Sequence, residues 1–377
     1  MVYLDNAATT YPKPEAVYRE MDYVNREIAV NAGRGAYRAA KEAAMIIDNT
    51  RNRLLELTNS IGYADVILAP SVTHAFNQIF PGIGLTKSSV VYITPYEHNA
   101  VARTLEALKK KIGFTLEFIP LLKNLEIDLQ KTEYLFLQKK PDLIVSTALS
   151  NVTGYILPIK ELFALAKRYE AITVLDAAQA MGLVPMDFQV LQVDIMGFAG
   201  HKTLYGPFGI GGVILKKGVK LEPVLTGGTG SNSLNLSMPD SIPGRYEAAS
   251  QNIVAIAGLL ASLKELDQAE HEAKIRKLTA YLIDGLQGIH SVKILGIPNR
   301  DKALGIVSFQ VRGYTADEVG KILDNEFDVA VRAGYHCAPY IHDYLDDKAG
   351  GGTVRVGLGM FNTKQDINIL LGAVKGI

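Results

Sequence analysis

The sequence predicts an α/β protein: a mostly parallel sheet covered by helices on both faces, followed by a smaller α+β lobe. Three observations carry this. Short, nearly continuous apolar runs recur at VVYIT (90–94), LIVSTA (143–148), ITVLDAA (172–178), DIMGFAG (194–200) and IGGVIL (210–215). Helix-like stretches separate them, and the texture changes after about residue 250.

The apolar runs lack the in-out alternation of a one-sided sheet, so they read as strands buried on both faces. NAVARTLEALKKK (99–111) and PIKELFALAKRYE (158–170) read as the covering helices, with Pro158 in a first turn where its missing N–H costs nothing. Thr73 falls in the turn after VILAP, before a helix expected to begin near Ala75. From Ile253 to about Leu286 one long helix-like run links two lobes. Beyond it VKILG (292–296), GIVSFQV (305–311) and VAVRAG (329–334) alternate with helix candidates at 315–326 and 364–375. Glycine clusters at GGTGSNS (227–233) and AGGGT (349–353) read as mobile loops suited to closure over a ligand.

With 377 residues the chain fits two packed lobes or one large domain. Lys+Arg and Asp+Glu both number 39, which argues against a nucleic-acid binder with its basic excess. No apolar stretch is long enough to span a bilayer and MVYLDNAATT carries no signal pattern, so a cytoplasmic, non-membrane protein is expected. The one cysteine, Cys337, excludes an intrachain disulfide and a Cys-only metal cluster; no metal site is expected. It is either an inert buried residue or a working thiol.

In doubly wound sheets, ligands bind beyond the carboxyl ends of the strands. Asp176, Gln179, Asn151, His201, Lys202, Thr73 and His98 all fall at or just past such ends. That set suits pyridoxal 5'-phosphate (PLP). Its pyridine nitrogen needs a buried carboxylate, here Asp176. Its aldehyde needs a desolvated lysine, here Lys202. Its phosphate needs a helix N-terminus and hydroxyls near Thr73, and its ring needs a flat partner, for which His98 is the candidate.

At LDAAQA (175–180) and GHKTLYGPFGIG the chain resembles class V aminotransferase-fold PLP enzymes, in the cysteine desulfurase and selenocysteine lyase branch with a compact cysteine loop. The resemblance runs almost end to end, through YLDNAATT, NAGRGAY (31–37), EHNAVAR (97–103), SNVTG (150–154), GPFGIGG (206–212), RYEAAS (245–250), RAGYHCAP (332–339) and RVGLGMFNT (355–363). It implies a fold-type I transferase. The large domain, 14–252, would hold a mostly parallel seven-stranded sheet; the small α+β domain would be 253–377 together with 1–13. It implies that Lys202 is the Schiff-base lysine and Asp176 the pyridinium partner. Gln179 and Asn151 would approach the phenolic oxygen, His98 would stack on the ring and act in catalysis, and Thr73, His74 and His201 would hold the phosphate. Arg355 would grip the substrate carboxylate, with Asn151, Asn6 and Ala7 beside it. Cys337 would take sulfur from L-cysteine as a persulfide and release L-alanine. Ser250 would reach the phosphate of a partner subunit in a homodimer, and a sulfur-acceptor protein would follow.

The chain departs from the family in places. Ala199 replaces a serine before Gly-His-Lys, removing a phosphate hydroxyl worth about 1.5–3 kcal/mol. The phosphate turn reads SVTH, which puts His74 in an unusual place. Ala249-Ser250-Gln251 replaces Gly-Thr-Pro. The alternatives within the fold are a selenocysteine lyase, a cysteine-sulfinate-type β-eliminase or another class V aminotransferase. Outside it stands a scaffold without chemistry.

Overall fold

The computed structural model describes residues 1–32, 35–230, 234–297 and 299–377, so parts of the NAGRGAY and GGTGSNS motifs lie outside the described residues. The chain opens with β1 (Val2–Tyr3), α1 (Glu15–Glu27) and α2 (Arg38–Leu57). Then come β2 (Ala64–Ala69), α3 (Val72–Gly82), β3 (Val90–Ile93), α4 (Asn99–Ile112), β4 (Thr115–Phe118) and α5 (Leu129–Gln138). They are followed by β5 (Leu143–Thr147), α6 (Ile159–Lys167), β6 (Ile172–Asp176), β7 (Ile195–Ala199) and β8 (Gly211–Lys216). Seven of these strands form one sheet in the order β2-β8-β7-β6-β5-β3-β4, parallel throughout except for β8.

Every residue of β5 and β7 is buried, which explains why these strands read as unbroken apolar runs. Alternate residues serve opposite faces. Val91, Ile93, Val145 and Val174 pack with Phe76, Phe80, Val101 and Leu105 on one side. Tyr92, Ile144, Leu175 and Met196 pack with Leu162, Phe163, Ile256 and Leu259 on the other.

The remaining elements are α7 (Ile253–Glu265), α8 (Gln268–Gln287), β9 (Val292–Leu295), β10 (Ile306–Val311) and α9 (Ala316–Phe327). They continue with β11 (Val329–Ala330), β12 (Arg332–Gly334), β13 (Thr353–Gly357) and α10 (Lys364–Gly376). An antiparallel sheet forms in the order β12-β13-β10-β9, while β1 pairs in parallel with β11. The N-terminal strand therefore joins the C-terminal part of the chain.

The structure corrects four local expectations. The run from Ile253 to Leu286 is two helices, because the Asp267 carboxylate accepts the Glu270 N–H at 3.0 Å and starts α8. VAVRAG is two short strands in different sheets. Pro158 is the N-cap of α6, one residue before its first turn. Helix α3 begins at Val72, capped by Ser71, so Thr73 lies inside the helix and not in the preceding turn. No helix among the described residues is long and apolar enough to cross a membrane.

Candidate active site

The carboxyl ends of β2, β3, β5, β6 and β7 open on one edge of the large sheet. A cavity of about 320 Å³ there is lined by Thr73, His98, Asn151, Asp176, His201, Lys202, Cys337, Arg355 and Ala7. Gln179, Asn6, His74 and Ser250 do not line it.

Lys202 and Asp176 form the electrostatic centre. Asp176 ends β6 and is buried; its Oδ1 accepts the Ala178 N–H at 3.0 Å. Burial pushes its carboxyl up, and the Lys202 charge opposes that shift. Burial pulls the Lys202 ammonium down from its ordinary range, with Asp176 opposing. Behind them lies Glu97, wholly buried, with Oε1 accepting from Thr94 Oγ1 at 2.6 Å and Thr147 N at 2.8 Å. Its Oε2 is buried without a partner, and burial pushes the group up to about 8. Glu97 stands in the EHNAVAR motif, yet nothing in its sequence setting marks it as buried.

His98 is the N-cap of α4. Its Nδ1 accepts the Ala100 N–H at 3.0 Å, which assigns the remaining proton to Nε2. Burial, then the charges of Lys202, Arg355 and Arg103, pull it down to about 3, so the ring is neutral. His201 stacks on Phe208 with ring centres 4.8 Å apart, and its buried Nδ1 has no partner. Its carbonyl accepts from Thr9 Oγ1, Thr10 Oγ1 and Lys13 Nζ, which ties the N-terminal segment to the Gly-His-Lys turn.

The N-terminus of α3 lines one end of the cavity through Ser71, Val72 and Thr73, and a helix N-terminus suits an anion. Ser71 lines the cavity and its Oγ accepts the His74 N–H at 3.2 Å. The His74 ring folds back on the same hydroxyl, at 2.8 Å. A Ser three positions before a polar residue, ahead of an apolar helix, was a readable capping signal. Ala199 also lines the cavity and brings no hydroxyl to it.

Arg355 is buried on β13. Its Nη1 donates to Asn151 O and its Nη2 to Asp5 Oδ1, both at 2.9 Å, while its buried Nε has no partner. Asn6 is spent on structure, donating to Gly357 O and Asn362 Oδ1. Gln179 donates to Ala7 O at 2.7 Å, so it shapes the wall by holding the N-terminal segment.

Cys337 is exposed and stands between this cavity and an outer groove of about 810 Å³ that it also lines, with α4 opposite. Gly334, His336 and Cys337 all have positive φ, which costs the two non-glycine residues about 1–2 kcal/mol each. The turn is pinned. Asn151 Nδ2 donates to His336 O at 2.6 Å and Asn99 N to Cys337 O at 2.7 Å, and His336 Nε2 meets Thr353 Oγ1 at 2.7 Å. The AGGGT segment is a hydrogen-bonded turn behind it, where a Cβ on Gly352 would come 2.4 Å from Gly334 O. Ser250 lies in a separate cavity, accepting from Asn31 Nδ2 at 3.0 Å.

A parallel-sheet edge here gathers a half-buried lysine, a buried carboxylate and a capped helix N-terminus, the arrangement of a doubly wound α/β enzyme site. The chain belongs to the class-V aminotransferase family, whose model matches residues 2–370. A probable cysteine desulfurase of Halalkalibacterium halodurans is 31% identical over 98% of this chain and 91% of its own length. The apo structure of a cysteine desulfurase from Thermococcus onnurineus superposes with a TM-score of 0.90 at 28% identity, over 99% of this chain and 94% of the other. A cysteine desulfurase from Escherichia coli gives 0.83 at 25% identity, over 100% and 94%.

Proposed function

We propose that this protein is a PLP-dependent cysteine desulfurase that converts L-cysteine to L-alanine and leaves a persulfide on Cys337. The observation that carries this is the shared cavity: Lys202, Asp176, Arg355 and the thiol of Cys337 line one space. The residues fit the cofactor. A buried carboxylate on Asp176, a half-buried lysine, an unpartnered Nδ1 on His201 and a helix N-terminus suit a protonated ring bearing an aldehyde and a phosphate. When bound, PLP supplies an electron sink for bonds made and broken at the substrate.

The chain's own groups do the rest. Asp176 keeps a proton on the ring nitrogen, and the neutral His98 presents a flat face held by its capping bond. Lys202, its ammonium weakened by burial, moves a proton at the substrate Cα. Arg355 holds the carboxylate. Cys337 as thiolate takes the substrate sulfur: an S–S bond forms, the substrate C–S bond breaks, and the carbon gains a proton to become alanine. We extend the reading to a two-domain chain, 14–252 and 253–377 with 1–13, working in the cytoplasm as a homodimer. The SVTH turn then holds the phosphate of its own subunit, Ser250 reaches the phosphate of the partner, and an acceptor protein takes the sulfur.

The test is direct. Purified protein loaded with PLP and given L-cysteine and dithiothreitol should yield alanine and sulfide in equal amounts. Cys337→Ala should lose both, yet still release selenide from L-selenocysteine, whose weaker C–Se bond needs no thiol. Sulfide from Cys337→Ala at the parent rate would overturn the proposal.

A further inference from the structure

His342 and Asp347 form a buried pair outside the cofactor cavity that the chemistry above does not use. Both are almost fully buried, at 2% and 0% exposure. His342 Nδ1 lies 2.5 Å from Asp347 Oδ2, and its Nε2 lies 2.9 Å from the carbonyl oxygen of Tyr335. A carbonyl oxygen only accepts, so Nε2 carries a proton. A second proton must lie between Nδ1 and the carboxylate. With only one proton on the pair, a lone pair would face an acceptor on one side or the other.

The pair is itself anchored. The Asp347 carbonyl accepts from Gly350 N, Gly352 N and Gln310 Nε2, and Gln310 also donates to Gly352 O. That ties it to β10 and β13. At the other end, Tyr335 stands two residues before Cys337, and its carbonyl also accepts the Ala338 N–H at 3.1 Å, closing the turn around the thiol. The left-handed residues His336 and Cys337 sit between these two bonds. A turn with two such residues reverts to a commoner backbone unless its surroundings hold it.

We infer that His342 and Asp347 are positioning residues for sulfur transfer: through the Tyr335 carbonyl they fix the turn that presents the Cys337 thiol between the inner cavity and the outer groove. The inference rests on the reading of Cys337 as the sulfur carrier. His342 stands beside the cavity-lining His336, with ring centres 6.3 Å apart, but the pair hydrogen-bonds to none of Lys202, Asp176 or Arg355, so its effect falls on the thiol-dependent step.

The test uses the full-length, PLP-loaded protein. The double variant H342F/D347L replaces the pair with apolar side chains of similar size, a change that buried ion pairs tolerate without loss of stability. It should load PLP and release selenide from L-selenocysteine like the parent, while sulfide from L-cysteine falls about 10- to 100-fold, the usual effect of misplacing a reacting atom by 1 Å. Alkylation of Cys337 by iodoacetamide should change rate in parallel. D347N, whose amide can donate to Nδ1 and keep the proton on Nε2, should restore most of the cysteine reaction. Parallel losses on both substrates, or none on either, would overturn the inference. Cys337→Ala run alongside separates the two ideas: sulfide from that variant sinks the sulfur-carrier reading and this inference with it. A silent Cys337→Ala with an unaffected double variant sinks only the role of the pair.

Discussion

Arg355 Nη2 and Asp5 Oδ1 meet at 2.9 Å across 350 positions of chain. Asp5 Oδ2 also accepts from Arg332 Nε at 3.1 Å, so one carboxylate at the N-terminal edge holds two arginines beside the cavity. Arg355 keeps its planar fork in place with Asn151 O on the other nitrogen. Lysine cannot reproduce that fork. Arg355→Lys should raise KM for L-cysteine about tenfold with a smaller change in kcat, the signature of lost ground-state binding. Steady-state kinetics on the loaded enzyme measures it.

Three cavity-lining histidines, together with the buried His271, make the fold sensitive to acid. Burial comes first among the causes in each case, and it pulls His201 down to about 4, His98 to about 3 and His336 to about 2. In the unfolded chain such groups titrate near 6.5. Between these values the unfolded state binds more protons, so stability rises with pH there and is lost as pH falls below about 6.5. Urea midpoints should be flat for these groups near pH 7–8 and drop steadily from pH 6 to pH 4.5.

Glu97 acts in the opposite sense. Its folded value of about 8 lies above its unfolded one, so stability is full below about pH 4.5 and declines as pH rises toward 8. Glu97→Gln keeps an oxygen for Thr94 and Thr147 and cannot ionise. Thermal melts at pH 6 and pH 9 should show the parent losing stability across that interval and the variant losing less.

Ser71 offers a local test of the anion-binding end. Ser71→Ala removes the cap from α3, at a cost of about 1 kcal/mol. PLP affinity, followed by absorbance on reconstitution, should fall roughly three- to tenfold by the same measure. The melting temperature of the cofactor-free protein should move by only a few degrees.

Much of the scaffold was legible because burial on both faces writes unbroken apolar runs into strands such as β5 and β7. The bringing together of Asp176, Lys202, His98 and Asn151 followed from strand ends, while Thr73 joins them from the first turn of α3. What escaped depended on distant partners or on one side-chain cap. The break before α8 turns on Asp267, whose carboxylate competes for the backbone only once the helix starts. Asp5 meets Arg355 because the N-terminal segment pairs with Gly357 at the end of β13, and no local pattern foretells that pairing. Asn6 and Gln179 look like ligand residues in sequence, but their amides bond to the N-terminal segment and its neighbours. The His342–Asp347 pair is invisible without the fold, since two ordinary polar residues five apart in an irregular stretch suggest a solvated loop.

The N-terminal segment from Asp5 to Thr10, whose Ala7, Ala8 and Thr9 line the cavity, clasps the Gly-His-Lys turn and the arginine on β13 at once. During synthesis those early residues leave the ribosome hundreds of positions ahead of Arg355. Their bonds to the Gly-His-Lys turn need only the first 202 residues, whereas the bond from Arg355 to Asp5 waits for β13. A chain that stops short of β13 lacks the Arg355 side of the cavity.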